Sequence, residues 1–386
     1  MPATEWTHAR HVLCIRLDAL GDVLMTTPAL RAVKQAMPDR RVTLLTSPGG
    51  AAIAGMLTDV DHTLTYEAPW MKASPARVEP QAEEHLLERL RAEHFDAAII
   101  FTVFSQNPLP AALMCYLAGI PLRLAHCREN PYQLLTDWVP ETEPNAQLRH
   151  EVRRQLDLVA TVGCRTVDER LSLSVAPRDV ATVKQRLAAI GLTPKGHWIV
   201  VHPGASAASR RYPPELYAEA VEQLAVEHGI GIVFTGSRSE APLVEAIRSR
   251  LTVPSTSFAG ELTLGELAAL IASAPLLLTN NTGPAHLAAA LATPVVDLYA
   301  LTNPQHAPWQ VPQRLLFHDV PCKFCFRSVC PLAHHDCLRR VPPERVAAAV
   351  IDLLAETSVT ISDPNATPAA LAAPPTFDTP VLAWGV

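Results

Sequence analysis

The sequence predicts an α/β protein made of two successive doubly wound units, each a parallel sheet flanked by helices. Three observations carry this expectation. Short apolar runs of strand length alternate with longer helical patterns; a polar link at 163–195 interrupts the alternation; and the same rhythm then resumes. At 386 residues the chain is long enough for two domains, each with its own core. The expected division is 1–175, 176–357 and a tail at 358–386.

In the first unit, strands are expected at VLCIRL (12–17), VTLLTS (42–47), HTLTYE (62–67), DAAIIF (96–101) and LRLAH (122–126). Helices are expected at 22–37, after Gly50, at 81–93 and at 109–118. The stretch 151–162 reads as an amphipathic helix, with Val152, Leu156, Val159 and Ala160 on one face. The link holds LSLSV and a helix-like stretch, DVATVKQRLAAI.

The second series of strands is HWIVVHPG (197–204), IGIVFTG (230–236), SFAGE (257–261), PLLLTNN (275–281) and PVVDLYA (294–300). Helices at 214–227, 240–251, 264–274 and 284–291 separate them, and 343–355 closes the unit. The tail, rich in Pro, Ala, Thr and Asp without periodicity, reads as disordered. In such folds ligands bind at the carboxyl ends of the strands, so the site is expected there, between the two units.

Composition removes several functions. A formal net charge of −6 opposes a nucleic-acid binder that grips phosphates through a basic surface. No apolar stretch approaches the roughly 20 residues of a membrane helix. The N-terminal apolar run is too short for a signal peptide, so the cytoplasm is the expected compartment. Cys14, Cys115, Cys127 and Cys164 are scattered in apolar surroundings and read as small core residues.

Four segments carry candidate chemistry. The first is LDALGDVLMTTPAL, a turn from the first strand into a helix, where a single Gly21 precedes Asp22. An acid there repels phosphate; it either serves the helix start or acts as a base. Asp18 reads as structural. The second is HPGAS followed by RRYP: Gly204, Ala205 and Ser206 let backbone N–H groups approach an anion, and Arg210 or Arg211 can clamp a diphosphate. An ordinary strand–helix turn with a surface Arg pair is the alternative.

The third segment, FTGSRSE, holds Gly236 and Glu240. Glu240 suits a ribose diol, or simply complements a helix dipole. The fourth, LTNNTGPAHLAAA, gathers Asn281, Thr282, Gly283 and His286 at a strand end. Helix capping by Asn281 or Thr282 and a core histidine are the competing readings.

LGDVLMTTPAL, HPGAS with RRYP, FTGS with a nearby acid, and TNNTGPAHLAAAL occur in one order over about residues 10–354. Together they resemble glycosyltransferase family 9, the heptosyltransferases of lipopolysaccharide core assembly. The resemblance implies GT-B architecture, two Rossmann-like domains facing a central cleft. It places the acceptor on the N-terminal domain and the nucleotide sugar, ADP-L-glycero-D-manno-heptose, on the C-terminal one. It implies inverting transfer without a catalytic metal and matches Asp22 to the family's general base. On that reading Gly21, Arg123 and Arg128 lie on the acceptor side, with Lys72 a further cation for an anionic acceptor. Solvated surface charge is the alternative for the three cations. A glycolipid acceptor implies transient contact with the inner face of the inner membrane.

The sequence departs from the family at Arg210, where Lys is common, at Asn281, where Asp is usual, and at Ala300, where Gly is usual. Arg changes reach and hydrogen-bond geometry, and Asn replaces a charge with donors as well as acceptors.

Cys322, Cys325, Cys330 and Cys337 form C-x2-C-x4-C-x6-C, with His334 and His335 beside them. Four thiols this close suit a structural zinc or iron ion, free or redox-active thiols, or disulfides. In the autotransporter-modifying members of the family a comparable segment binds iron, so a protein acceptor is an alternative to the glycolipid. A catalytically lapsed nucleotide-sugar binder is another, hinted at by Asn281. A nicotinamide oxidoreductase is disfavoured, because no G-x-G-x-x-G follows a predicted strand.

Overall fold

The computed structural model describes residues 3–72, 80–144 and 148–362, with side chains from 5 and up to 357. The described chain divides into two compact units between Ser172 and Leu173.

The first unit holds six parallel strands: β1 (His11–Arg16), β2 (Arg41–Thr46), β3 (His62–Thr65), β4 (Ala97–Ile100), β5 (Leu122–Cys127) and β6 (Asp137–Pro140). Their order across the sheet is β3-β2-β1-β4-β5-β6. β1 is central, with Cys14 opposite Leu44 on one side and Ile99 on the other. Every residue of β1 and β4 is buried, as expected of strands covered on both faces. Leu13, Ile15, Ala98 and Ile100 pack with Leu86, Leu90 and Ala112 of the helices Gln81–Glu93 and Leu109–Leu117. Cys14, Cys115, Cys127 and Cys164 are buried and free.

The second unit holds β7 (Trp198–His202), β8 (Gly231–Phe234), β9 (Thr256–Ser257), β10 (Leu277–Asn280), β11 (Val295–Leu298) and β12 (Gln313–Leu316). Their order is β12-β11-β10-β7-β8-β9, again all parallel. Counted within each unit, both sheets run 3-2-1-4-5-6, the strand order of a Rossmann fold. Val346, Val350 and Leu353 of the closing helix pack with Val296 and Leu298 of β11. Each such fully buried side chain contributes about 1.5–3 kcal/mol.

Sequence reading missed β6 and β12, and both are edge strands. Their sequences, DWVP and QRLL, are mostly half-exposed, so no continuous apolar run marks them. The expected SFAGE strand is a two-residue ladder, Thr256–Ser257, and LSLSV forms no strand. The closing helix runs over Pro343–Ser362, past the expected start of the tail at 358; residues 363–386 lie outside the described residues.

Candidate active site

In both units the order reverses between two central strands, β1 and β4 in one, β7 and β10 in the other. The crevice beyond the carboxyl ends of such a pair is where a doubly wound sheet holds ligands. The two crevices are chemically opposite.

In the first unit, β1 ends at Arg16 and the helix Leu20–Gln35 starts four residues later. The Arg16 side chain is fully buried and meets three carboxylates: Nη1 to Glu151 Oε1 at 2.7 Å, Nε to Asp18 Oδ2 at 2.8 Å and Nη2 to Asp22 Oδ1 at 3.3 Å. Burial works against the Arg16 charge, and Asp18, Glu151 and Asp22 outweigh it. Breaking such a buried set would leave an uncompensated charge, so the constellation holds together.

Asp22 lies in the first turn of its helix, not at the cap position. The cap position is Ala19, which makes no side-chain bond, and the Asp22 carboxylate turns back toward Arg16 with a fifth of its side chain exposed. Gly21 lies beside it, half-buried in the first turn.

A cavity of about 420 Å³ opens at this switch point, walled by Ile15 and Leu17 from the β1 side and by Phe101 and Thr102 after β4. Asp18, read as structural from the sequence, lines it as well as pairing with Arg16. Burial, with the Asp22 charge adding to it, raises the Asp18 carboxyl to about 6 against the opposing pull of Arg16 and Gln106.

The helix Glu151–Ala160 supports this crevice through residues that apolar periodicity passes over. Besides Val152, Leu156 and Val159 it buries Glu151, Arg154 and Gln155, while Ala160 is only half-buried. Gln155 Nε2 bonds both Glu151 Oε1 at 2.7 Å and the Thr102 carbonyl at 3.0 Å, tying the cavity wall to the Arg16 cluster.

The acceptor-side assignment of Arg123 is corrected. Arg123 is buried and donates to the carbonyls of Leu134 (2.8 Å), Gln133 (2.8 Å), Pro121 (3.2 Å) and Ile120, so its guanidinium pins the segment after β5. Arg128 is exposed, with Nη2 on the carbonyls of Phe104 and Glu143. Lys72 is exposed at the cavity rim.

In the second unit, Asn280 straps the crevice shut at its base. Its Nδ2 donates to the Pro203 carbonyl at 2.7 Å, and its Oδ1 accepts from the Tyr212 amide at 3.1 Å. Sequence reasoning singled out its neighbour instead. A Cβ on Gly204 would fall 2.0 Å from Glu240 Oε1, and one on Gly236 would fall 3.3 Å from Glu240 Cβ. Gly204, Gly236 and Glu240 therefore converge.

The Glu240 carboxylate makes no helix cap; it accepts from the Ser237 amide and hydroxyl, both at 2.8 Å. Burial alone would raise its pKa, but the Ser237 bonds and His202, 3.9 Å away, hold it below the usual carboxylate range. His202, unmarked in the sequence, is itself kept neutral by burial against the pull of Glu240.

Ala205 is buried, Ser206 is exposed, and Arg211 donates from Nε to the Ala205 carbonyl at 2.8 Å. Arg210 Nε is buried without a hydrogen-bond partner among the described residues. Its charge acts on Asp297, a fully buried acid of β11 that sequence reading passed over inside the run PVVDLYA. Burial pushes Asp297 well above the carboxylate range, with Arg210 opposing. Asn281 is buried beside Tyr299. Thr282 occupies the cap position of the helix Gly283–Ala290 without a capping bond, and His286 is buried in that helix.

The cysteine segment packs around Leu301, Val320 and Phe324, with Cys322 and Cys337 against them. Burial, reinforced by the neighbouring thiols, raises the pKa of both. Cys322 Sγ lies 3.6 Å from His334 Nε2. Among the described residues no group of three or more His, Cys, Asp or Glu side chains is arranged to hold a metal ion. The segment does brace the loop after β7. Ser209 donates from its hydroxyl to the Arg327 carbonyl at 2.7 Å and from its amide to the Ser328 carbonyl at 3.1 Å.

Two Rossmann-like units, each with its sheet in the order 3-2-1-4-5-6, are the architecture of the GT-B glycosyltransferases. The sequence model of "Glycosyltransferase family 9 (heptosyltransferase)" matches residues 84–335. Lipooligosaccharide heptosyltransferase 2 of Campylobacter jejuni is 30% identical over 160 residues, 40% of this chain and 50% of that protein, so the match spans half the length of that relative. Lipopolysaccharide heptosyltransferase 3 of Escherichia coli K12 is 25% identical over 295 residues, 75% of this chain and 82% of that protein. The solved structure of E. coli ADP-heptose lps heptosyltransferase II overlays with a TM-score of 0.70 at 22% identity, covering 90% of this chain and 99% of that one. The chain belongs to glycosyltransferase family 9, the heptosyltransferases of lipopolysaccharide core assembly. Among the described residues no helix is long and apolar enough to cross a membrane.

Proposed function

We propose that the protein is an inverting heptosyltransferase that moves heptose from ADP-L-glycero-D-manno-heptose to a lipopolysaccharide core sugar, with Asp22 as general base. The observation that carries this is the Asp22 carboxylate: it stays partly exposed in the first helical turn after β1 and is turned toward a buried guanidinium. The donor assignment rests on family membership and on the name of the E. coli relative that shares the fold.

An acceptor hydroxyl attacks the anomeric carbon from the face opposite the diphosphate. Asp22 takes its proton as the new carbon–oxygen bond forms, and the bond to the diphosphate breaks with its electron pair leaving on ADP. Arg210 and the amides of Gly204, Ala205 and Ser206 meet the charge of the leaving group, a task that requires no catalytic metal. Arg211 adds positive charge at the mouth, Glu240 accepts from the ribose diol, and Asn281, Thr282, Gly283 and His286 hold the sugar side. Arg128 and Lys72 serve an anionic glycolipid acceptor presented at the inner membrane surface. A zinc or iron ion at Cys322, Cys325, Cys330 and Cys337 would be structural and would require the thiols to close in.

The test is Asp22→Asn. Transfer should fall about 10²–10⁴-fold, the usual contribution of a general base, while ADP-heptose binding by calorimetry stays within a few-fold. Wild-type turnover in this variant rejects Asp22 as the base. Preference for a UDP- or GDP-sugar in a binding screen rejects the donor.

A further inference from the structure

We propose that Asp18 is a second functional carboxylate of the first unit: it receives a hydroxyl of the acceptor saccharide in the cavity beside β1 and, through Arg16, ties acceptor binding to the charge of Asp22. This rests on the reading of Asp22 as base.

Asp18 is fixed at three points. Its Oδ2 faces Arg16 Nε at 2.8 Å, its Oδ1 accepts from Gln106 Nε2 at 2.5 Å, and its carbonyl accepts from the Ser47 hydroxyl at 2.6 Å. Gln106 cannot turn away, because its Oε1 accepts from the Val103 amide at 3.1 Å. Gly50 closes the arrangement: a Cβ there would lie 2.1 Å from Thr46 Oγ1, 2.9 Å from Val23 Cγ2 and 3.3 Å from the Asp18 carbonyl. A carboxylate held this rigidly keeps its geometry without reorganising when a ligand arrives.

The cavity around it has the composition of a sugar site. Asp18 offers acceptor lone pairs, Gln106 and Asn107 offer amides, Trp70 offers an apolar ring face, and Lys72 stands at the rim. Hydroxyl donors suit the carboxylate, and a sugar's apolar C–H face suits the indole. At about 420 Å³ the space takes a ligand of sugar size.

The coupling follows from charge counting. Arg16 is one cation shared by Asp18, Asp22 and Glu151, so a hydroxyl bonded to Asp18 withdraws negative charge from Arg16 and leaves more of the guanidinium to Asp22. The charged groups facing Asp18 are Arg16 on β1, Asp22 on the helix Leu20–Gln35 and Glu151 on the helix Glu151–Ala160, with Lys72 at the rim. A hydroxyl binds the ionised Asp18 more strongly than the neutral acid, so acceptor kcat/KM should fall as pH drops through about 6.

The experiment measures kcat and KM for acceptor and donor from pH 5 to 8 in the wild type, Asp18→Asn, Gln106→Leu and Asp22→Asn. Asp18→Asn should raise acceptor KM at least tenfold, leave donor KM within twofold and move the acid limb to lower pH. Gln106→Leu should raise acceptor KM by a smaller factor, which keeps the proposal testable if Asp18→Asn fails to fold. Unchanged acceptor KM and acid limb in Asp18→Asn, with Asp22→Asn inactive, overturns the proposal alone. An active Asp22→Asn overturns the reading of the base instead, and the acceptor KM of Asp18→Asn then decides whether Asp18 binds sugar.

Discussion

Two residues show how differently buried charge is managed. Arg123 spends its guanidinium on four backbone carbonyls, so it belongs to the fold and not to the acceptor. Arg123→Ala should cost about 2–4 kcal/mol in denaturant unfolding, the range for orphaning several buried acceptors, and leave acceptor KM unchanged. A raised acceptor KM at full stability would return Arg123 to the binding site. His126, on β5, has its pKa pushed down to about 3 by burial and then by Arg154 and Arg149. The native state keeps it neutral while the unfolded chain takes a proton near 6.5. Its contribution is therefore complete above pH 6.5 and is lost as pH falls toward 3, at up to about 1.4 kcal/mol per pH unit. His126→Gln should flatten that acid slope in urea titrations; an identical slope would assign the loss to other groups.

At the scale of elements, apolar runs made the central strands of both sheets legible, because strands buried on both faces are predominantly apolar. The same rule hid β6 and β12, which need only one covered side. Candidate residues that differ from their surroundings stand out in the sequence: Asp22 after a strand, Gly204 in a small-residue loop, Glu240 near a strand end. Residues that act through long-range pairing do not. Glu151 and Gln155 look like the polar stripe of an amphipathic helix until Arg16, far away in sequence, is placed against them. Asn280 and Asn281 are adjacent and chemically identical, and only strand direction decides that Asn280 straps the Pro203 carbonyl. The turn after β7 gives an element-scale test. Gly204→Ala places a methyl 2.0 Å from Glu240 Oε1, the movable end of that side chain. The chain should fold with little loss while the displaced carboxylate weakens ADP-heptose binding at least tenfold in calorimetry. Wild-type affinity would detach Glu240 from the ribose.

The whole molecule repeats one plan twice, since both sheets run 3-2-1-4-5-6 and both open a crevice at the same reversal. Hydrogen exchange should separate their roles. ADP at about a hundred times its Kd contributes roughly 2.7 kcal/mol of stabilisation, and the protected amides should cluster at 203–211, 236–240 and 281–286, sparing 17–22 and 101–107. Protection confined to the first unit would reverse the assignment of donor and acceptor sides. The Arg16 cluster has a further consequence, one of exclusion. A chain with two nucleotide-type crevices invites a second nucleotide to occupy the wrong one. In the first crevice a diphosphate would meet the Asp18 carboxylate at the cavity wall, with Asp22 and Glu151 paired to the same single Arg16 guanidinium, a repulsion the interior screens poorly. The acids that prepare one crevice for a hydroxyl also bar it to ADP, and titration should return one nucleotide per chain.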